Sequence, residues 1–344
     1  MKLIVGYQMR PNGRFIECIL SHRDRIGEIY FAWPGIANGR SVLSRKMDIS
    51  LREMLNRQHE ELMQLSAAGF SLNLLLNGNC YGAESLARCF YQQIGDLMDE
   101  LASQMRLRSV TTASPIIARF VKENFPEMEV RASVNMEIDT REGVEYLADV
   151  MDGFYVKREM NRSIEKVHAF SKICREMGKK VYMLANSGCL NDCSARQFHD
   201  NLVSHEQELM RRDNAYGFDG ICRSFLTRDA NRRRIIQLSN WVRPEDIHRY
   251  QGLVDGVKLA TRVSQYPEMI VEAYSSGRFL GNLLSLMEPD FSALYYPLAL
   301  EAGAFPEDYF EKTARCNHQC ETCGYCLEVF DRAAKSLPED LLFG

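Results

Sequence analysis

Short apolar runs alternate with longer segments of helical spacing along most of this chain, and that alternation limits the fold more than any other feature. The candidate strands are KLIVGY, IGEIYFAW, FSLNLLLN, SVTTAS, EVRASVNM, GFYVKRE, KVYMLANS, DGICRSF and DGVKLATR. Several are apolar throughout, as parallel strands covered on both faces require. Segments such as SLREMLNRQHEELMQLSAAG, SPIIARFVKENFP and SIEKVHAFSKICREMG carry helical spacing between them, and Gly178 stops the last. About eight strand–helix units close a barrel. A doubly wound open sheet is the lesser alternative, because VGYQMRPNG after the first strand holds neither GxGxxG nor a P-loop. The sequence therefore predicts an α/β protein. A (β/α)8 TIM-barrel-like domain spans residues 1–287, and a cysteine-rich C-terminal extension spans residues 288–344.

At 344 residues, with 46% hydrophobic and 26% charged side chains, the chain has enough apolar material for such a core. A net charge of -4 gives no general attraction for nucleic acid or an anionic membrane. No apolar run reaches the roughly 18 residues of a membrane span, and MKLIVGYQMRPNGRF breaks too early for a signal peptide. The expected compartment is the cytoplasm, where disulfides are rare and clustered thiols point to metal or redox chemistry. Of the eleven cysteines, Cys18, Cys89 and Cys174 stand alone and read as small buried hydrophobes.

The other eight fall into two sets. Cys316, Cys320, Cys323 and Cys326 lie within CNHQCETCGYC, where close turns bring four sulfurs to one soft centre. A single run of four thiols resembles ferredoxin-style ligation of a 4Fe–4S cluster more than a split zinc knuckle, with zinc as the alternative there. His318 is a further donor for a zinc site. The second set is Cys189 and Cys193 in NSGCLNDC, with Cys222 in DGICRSF and Cys80 in LNGNC. All four follow or end candidate strands, so a barrel would gather them on one rim as a second cofactor site. His199 rivals Cys80 as the fourth ligand. Gly188 is expected to let the chain turn sharply and aim the Cys189 and Cys193 sulfurs inward.

The same rim collects charge. Lys157, Arg223, Lys258 and Arg262 would clamp a carboxylate or phosphate, and Glu159 beside them is the candidate general acid or base. The plainer reading of VKRE is a solvated charge run after a strand. RDANRRRIIQLSNW places four arginines near Trp241, a candidate phosphate-contact patch, but no RNA-binding module is present and RNA is not the favoured substrate.

Three stretches, NSGCLNDCSARQFHDNLVSHE, CRSF and SNWVRPEDIHRYQGLVDGVKLATR, resemble proteins related to peptidase family U32. The last places Lys258 and Arg262 where that family has its Lys and Arg. The family's fuller cysteine signature and its usual opening turn are absent, and the tail cluster is not a general family feature. The resemblance implies a barrel-like α/β domain whose cysteines hold one 4Fe–4S cluster. The tail set would make a second. It also implies oxygen-independent hydroxylation or a related redox modification of a small anionic or nucleotide-like substrate. An electron donor would serve it, with a partner subunit as a further option. The alternatives are a zinc-stabilised binding protein without catalysis, or a hydrolase of the kind the family name suggests. No H-E-x-x-H or G-x-S-x-G motif supports hydrolysis.

Overall fold

The structure, a computed structural model, describes residues 1–39, 50–209, 212 and 216–337, with Gln207 described in backbone only. Strands β1 (Lys2–Gly6), β2 (Ile26–Ala32), β3 (Ser71–Leu76), β4 (Leu107–Thr112), β5 (Glu129–Ala132), β6 (Gly153–Tyr155), β7 (Lys180–Leu184) and β8 (Gly256–Leu259) close into a barrel in chain order. β8 pairs in parallel with β7 on one side and β1 on the other, which joins the ends of the sheet. Because every pair is parallel, all strand C-termini open on one rim.

The strands look uniformly apolar in sequence because both faces are covered. Leu3, Val5, Leu72, Leu74 and Val257 point outward into the main core under the helices. Ile4, Tyr30, Leu75, Tyr155, Tyr182 and Leu184 point inward and form a separate apolar cluster. That is the period-two alternation of strands carried out between two hydrophobic layers. The helices follow local rules. Helix Leu51–Ala67 starts at Ser50, whose side chain caps Glu53 while Glu53 caps Ser50 in return, an arrangement worth about 1 kcal/mol.

The barrel interior also holds a polar layer. Arg131 on β5 donates to both carboxylate oxygens of Glu28 on β2, at 2.6 and 2.7 Å, and both side chains are buried. Its Nε donates to Glu129 at 2.8 Å, and its guanidinium lies 4.0 Å from the centroid of the Tyr182 ring. Asn73 and Ser109 donate to Glu28 at 2.9 and 3.2 Å. Each buried charge is thus paired and hydrogen-bonded, the condition under which its desolvation can be offset. Tyr182 needs room beside this layer. A Cβ on Gly256 would lie 2.8 Å from the tip of Ile4 and 3.2 Å from the Tyr182 ring, so a larger residue on β8 there would require those side chains to shift.

Eight of the nine expected strands are barrel strands; the ninth is not. DGICRSF forms helix Ile221–Leu226 within a long excursion between β7 and β8. Cys222, Phe225 and Leu226 face inward from it at i, i+3 and i+4 spacing, which over six residues reads like a short apolar run. The sheet closes without this segment, so no strand neighbour is left for it.

Past β8, helix Pro267–Ser276 packs on helix Arg14–Ser21. Residue 288 still touches the barrel: the Gly188 N–H donates to the Glu288 carbonyl at 2.7 Å. Beyond it, Phe291, Tyr295, Tyr309 and Phe330 join the barrel's own hydrophobic core. Antiparallel strands β9 (Leu298–Leu300) and β10 (Ala334–Ser336) tie the extension together. Its last residues, 338–344, lie outside the described residues.

Replacing Arg131 with Met leaves the Glu28 carboxylate buried without its cation, and should cost about 3–5 kcal/mol. Adding Glu28→Gln to that variant should recover part of the loss. Urea unfolding of the two single variants and the double variant measures this; equal stability of all four proteins would contradict it.

Candidate functional site at the barrel mouth

The C-terminal rim surrounds a cavity whose floor is Tyr30, Leu75, Val134 and Leu184 and whose polar lining includes Asn135, Arg158, Lys258 and Arg262. Lys258, on β8, is 8% exposed. Its Nζ sits 4.0 Å from the centroid of the Tyr30 ring and 5.3 Å from that of Tyr155. Among the described residues no carboxylate forms an ion pair with it. Burial brings its amine down to about 7; the positive charges of Arg262, Arg131 and Arg158 add to this and Glu28 opposes it.

Arg158 begins the turn Arg158–Met160 after β6. One terminal nitrogen donates to Asn135 Oδ1 at 2.6 Å. Its Nε and other terminal nitrogen are buried and have no hydrogen-bond partner among the described residues. Unsatisfied buried donors are costly, and these belong to a side chain that lines the mouth. Arg262 donates to Asn38 Oδ1 at 2.6 Å, which holds it on the same wall.

A second cavity opens beside the first, and Arg158, Cys189, Asp200 and Glu288 line both. Its wall carries Cys189 and Cys193 from the loop after β7, His199 from helix Arg196–Ser204, and Cys222 with Arg223 from helix Ile221–Leu226. Three of the four expected cysteines therefore line one cavity, together with His199. The Cys222 Sγ and the His199 ring lie 3.4 and 4.0 Å from the point a Cβ on Gly220 would occupy. Burial pushes the Cys222 thiol up, and negative charge on Cys189 and Cys193 would push it further. Among the described residues, no group of three or more His, Cys, Asp or Glu side chains stands ready to hold a metal ion. The donor types suit a metal, but the coordination is not pre-closed. Gly188 serves this loop by close approach: a Cβ there would lie 3.0 Å from Met287.

Other expected residues go elsewhere. Cys222 and Arg223 reach the cavity from a helix, not from a strand end. Lys157 pairs with Asp139 at 3.3 Å, and Glu159 pairs with Arg196 at 2.6 Å. Both line a separate hollow with Asp192 and His318, because the turn after β6 sends Arg158 to the mouth and its two neighbours away. Arg196 also donates to the Leu190 carbonyl at 2.8 Å, so Glu159 buttresses the cysteine loop. Cys80 does not line the cysteine cavity. It follows the end of β3, accepts the Gly82 N–H at 3.4 Å and pairs with His205. That hydrogen bond, then the Gly82 N–H, lowers the Cys80 thiol's pKa; the same bond to Cys80 raises that of His205, whose Nδ1 lies 3.6 Å from Glu208.

In the extension, Cys316, Cys320, Cys323 and Cys326 lie within electrostatic reach of one another. Burial raises the Cys326 thiol, Arg162 lowers it, and the other three raise it again. Arg162 is buried, donating to Asn240 at 3.0 Å, the Ile236 carbonyl at 2.8 Å and Tyr309 at 2.9 Å. Gln237 donates to the Cys320 carbonyl at 3.3 Å. In the arginine run nearby, Arg233 pairs with Asp331, Arg232 and Arg234 lie over Tyr295 and Phe225, and Trp241 is buried against Phe305.

No protein-family model matches the chain. It is 24% identical over 320 residues to an uncharacterized protease (MJ1657) of Methanocaldococcus jannaschii, covering 90% of this chain and 89% of that protein. The solved structure of the U32 peptidase Mk0906 has the same fold, with a TM-score of 0.53 at 17% identity, covering 75% of this chain and 91% of that one. The chain is thus similar in sequence to an uncharacterized protease and in fold to a U32 peptidase.

In this barrel the residues missed from sequence are Arg158 and His205. Arg158 was hidden between two other charges in VKRE, and only the direction of a three-residue turn separates it from them. His205 is distant from Cys80 in the chain, and nothing local marks the pairing. No helix among the described residues is long and apolar enough to cross a membrane.

The cysteine environments order their reactivity. At neutral pH, iodoacetamide should label Cys80 about 2–10 times faster than exposed Cys89, since the thiolate is the nucleophile. Cys18 and Cys174, raised to about 12 chiefly by burial, should label last. His205→Ala should remove the Cys80 advantage. Peptide mapping of metal-free protein over time checks this, and a Cys80 no faster than Cys89 would refute it.

Proposed function

We propose that this chain is a U32-type iron–sulfur enzyme. Cys189, Cys193 and Cys222, with His199 as fourth donor, hold a 4Fe–4S cluster, and the adjoining mouth takes a small anionic or nucleotide-like substrate. The observation that carries this reading is the continuity of the two cavities at Cys189 and Arg158. A cluster would supply one-electron chemistry, in keeping with an oxygen-independent hydroxylation or related redox modification. The chain's own residues supply binding and exclusion. Arg158 offers two buried donors to an anion, and Arg262 and Lys258 add positive charge. Tyr30, Leu75, Val134 and Leu184 keep water from the floor.

The four cysteines of the extension form a second centre, iron–sulfur or zinc, in this proposal. Arg162 supports it: a buried, fully oriented cation beside Cys316 and Cys326 offsets the negative charge that thiolate ligands carry. An electron donor would approach from this side.

A second reading has its own observation. Cys80, His205 and Glu208 form a thiol–imidazole–carboxylate series, the arrangement that activates a cysteine nucleophile. The names of the two similar proteins, a protease and a peptidase, agree with hydrolysis by such a site.

Protein purified without oxygen should be brown, absorb broadly at about 400 nm and bleach in air. Cys189→Ala and Cys323→Ala should each remove about half the iron and acid-labile sulfide if each 4Fe–4S site holds one cluster. A colourless protein containing only zinc would replace this reading with a metal-stabilised binding protein. Peptide turnover that survives chelation and disappears in Cys80→Ala would establish the second reading instead.

A further inference from the structure

Lys258 is placed for covalent chemistry and not only for charge. It is held in an apolar cage between Tyr30 and Tyr155, without a carboxylate partner among the described residues. An ammonium kept only as a structural cation would be expected beside an acid. The mouth around it is lined by the guanidiniums of Arg158 and Arg262, with Arg131 beneath, and by the carboxylates of Asp200 and Glu288, neither of which forms an ion pair with it among the described residues. Arg158, with two buried donors that have no hydrogen-bond partner among the described residues, lines the same cavity and supplies positive charge for an incoming anion. A carbonyl group attached to that anion would stand within the mouth that Lys258 lines.

We propose that Lys258 forms an imine with the carbonyl group of a substrate that Arg158 holds by its carboxylate or phosphate. This rests on the anionic-substrate reading of the mouth but not on the metal centre. The Nζ lone pair bonds to the carbonyl carbon while the C=O π pair moves onto oxygen. One proton from the amine and one from solvent convert that oxygen to water, which leaves, and a C=N iminium remains. No oxidant or reductant is consumed. The lowered basicity of Lys258 supports the step: an amine that titrates at about 7 holds on the order of a thousandfold more free base at neutral pH than an ordinary lysine.

The test uses the full chain with two probes, pyruvate for the carboxylate and glycolaldehyde phosphate for the phosphate, each with cyanoborohydride at neutral pH. Intact mass followed by peptide mapping should show one dominant reduced adduct, on Lys258, with at least one probe; the preferred probe identifies the anion. Lys258→Arg keeps the cation and removes the nucleophile, so it should lose the adduct while keeping its melting temperature. Arg158→Gln should lower adduct formation by about tenfold, the loss of one charge-assisted contact. Acetate and inorganic phosphate, which carry no reactive carbonyl, serve as binding controls by thermal shift. If they stabilise wild type but not Arg158→Gln and no Lys258 adduct forms, the anion site stands and the imine falls. If adducts spread evenly over exposed lysines and the controls do nothing, both fall.

Discussion

The bidentate pair between Arg131 and Glu28 spans the barrel from β5 to β2, and the mouth rests on it. It brings two charges into a space otherwise filled by Tyr30, Tyr155 and Tyr182, and the amide and hydroxyl of Asn73 and Ser109 complete the carboxylate's hydrogen bonds. A barrel filled only with aliphatic layers would be no less stable on energetic grounds, since apolar replacements of buried pairs are often neutral. Its consequence here is electrostatic. Lys258 above feels both members of the pair: Glu28 favours its charged form and Arg131 opposes it, while burial and then Arg262, the larger effects, disfavour that charge. The interior pair thus links what holds the barrel together to what the mouth can bind.

Topology explains why the mouth gathers so many polar side chains. Parallel closure points every strand end to one rim, so Asn77 after β3, Asn135 after β5, Arg158 after β6, Cys189 after β7 and Arg262 after β8 converge although they are far apart in sequence. The excursion between β7 and β8 then builds the cysteine cavity. Its register is fixed by backbone contacts: the Asn191 N–H donates to the Leu238 carbonyl, and Leu190 bridges Ser239. The same segment, through Gln237, reaches the Cys320 carbonyl. One stretch of chain therefore supports both cysteine sets, and Asp192 of one loop shares a hollow with His318 of the other.

Much of this was legible in the sequence, for identifiable reasons. Parallel strands buried on both faces leave continuous apolar runs, so KLIVGY and FSLNLLLN announced themselves. Sulfur spacing announced the tail cysteines as a group. What stayed hidden depends on turns of a few residues. DGICRSF has the composition of a strand and the spacing of a helix, and only closure of the sheet without it decides between them. In VKRE the charge cluster was visible, but the turn from Arg158 to Met160 determines which cation enters the mouth, and that turn has no marker in the residues themselves. Cys80 looked like a rim ligand because it follows a strand. Its actual partner, His205, lies at the end of helix Arg196–Ser204, which the Asn79 N–H touches through Ser204 at 2.9 Å.

The cysteines consequently divide by environment and not by proximity in the chain. Cys18 and Cys174 are held as thiols by burial and nearby carboxylates, which makes them poor nucleophiles and poor ligands. Cys222 is also raised, but by burial and by its neighbouring thiols, a penalty that reverses once a cation binds among them. Cys326 has the same character with Arg162 already supplying part of the compensating charge. Cys80 alone is lowered, by an imidazole and a backbone N–H. A thiolate stabilised in that way is already satisfied as it stands and gains less from a metal than the thiols at Cys222 and Cys326 do. Electrostatics therefore separate these sulfurs: an imidazole and a backbone N–H favour Cys80 as a thiolate, while burial and neighbouring thiols disfavour the thiolates of Cys222 and Cys326.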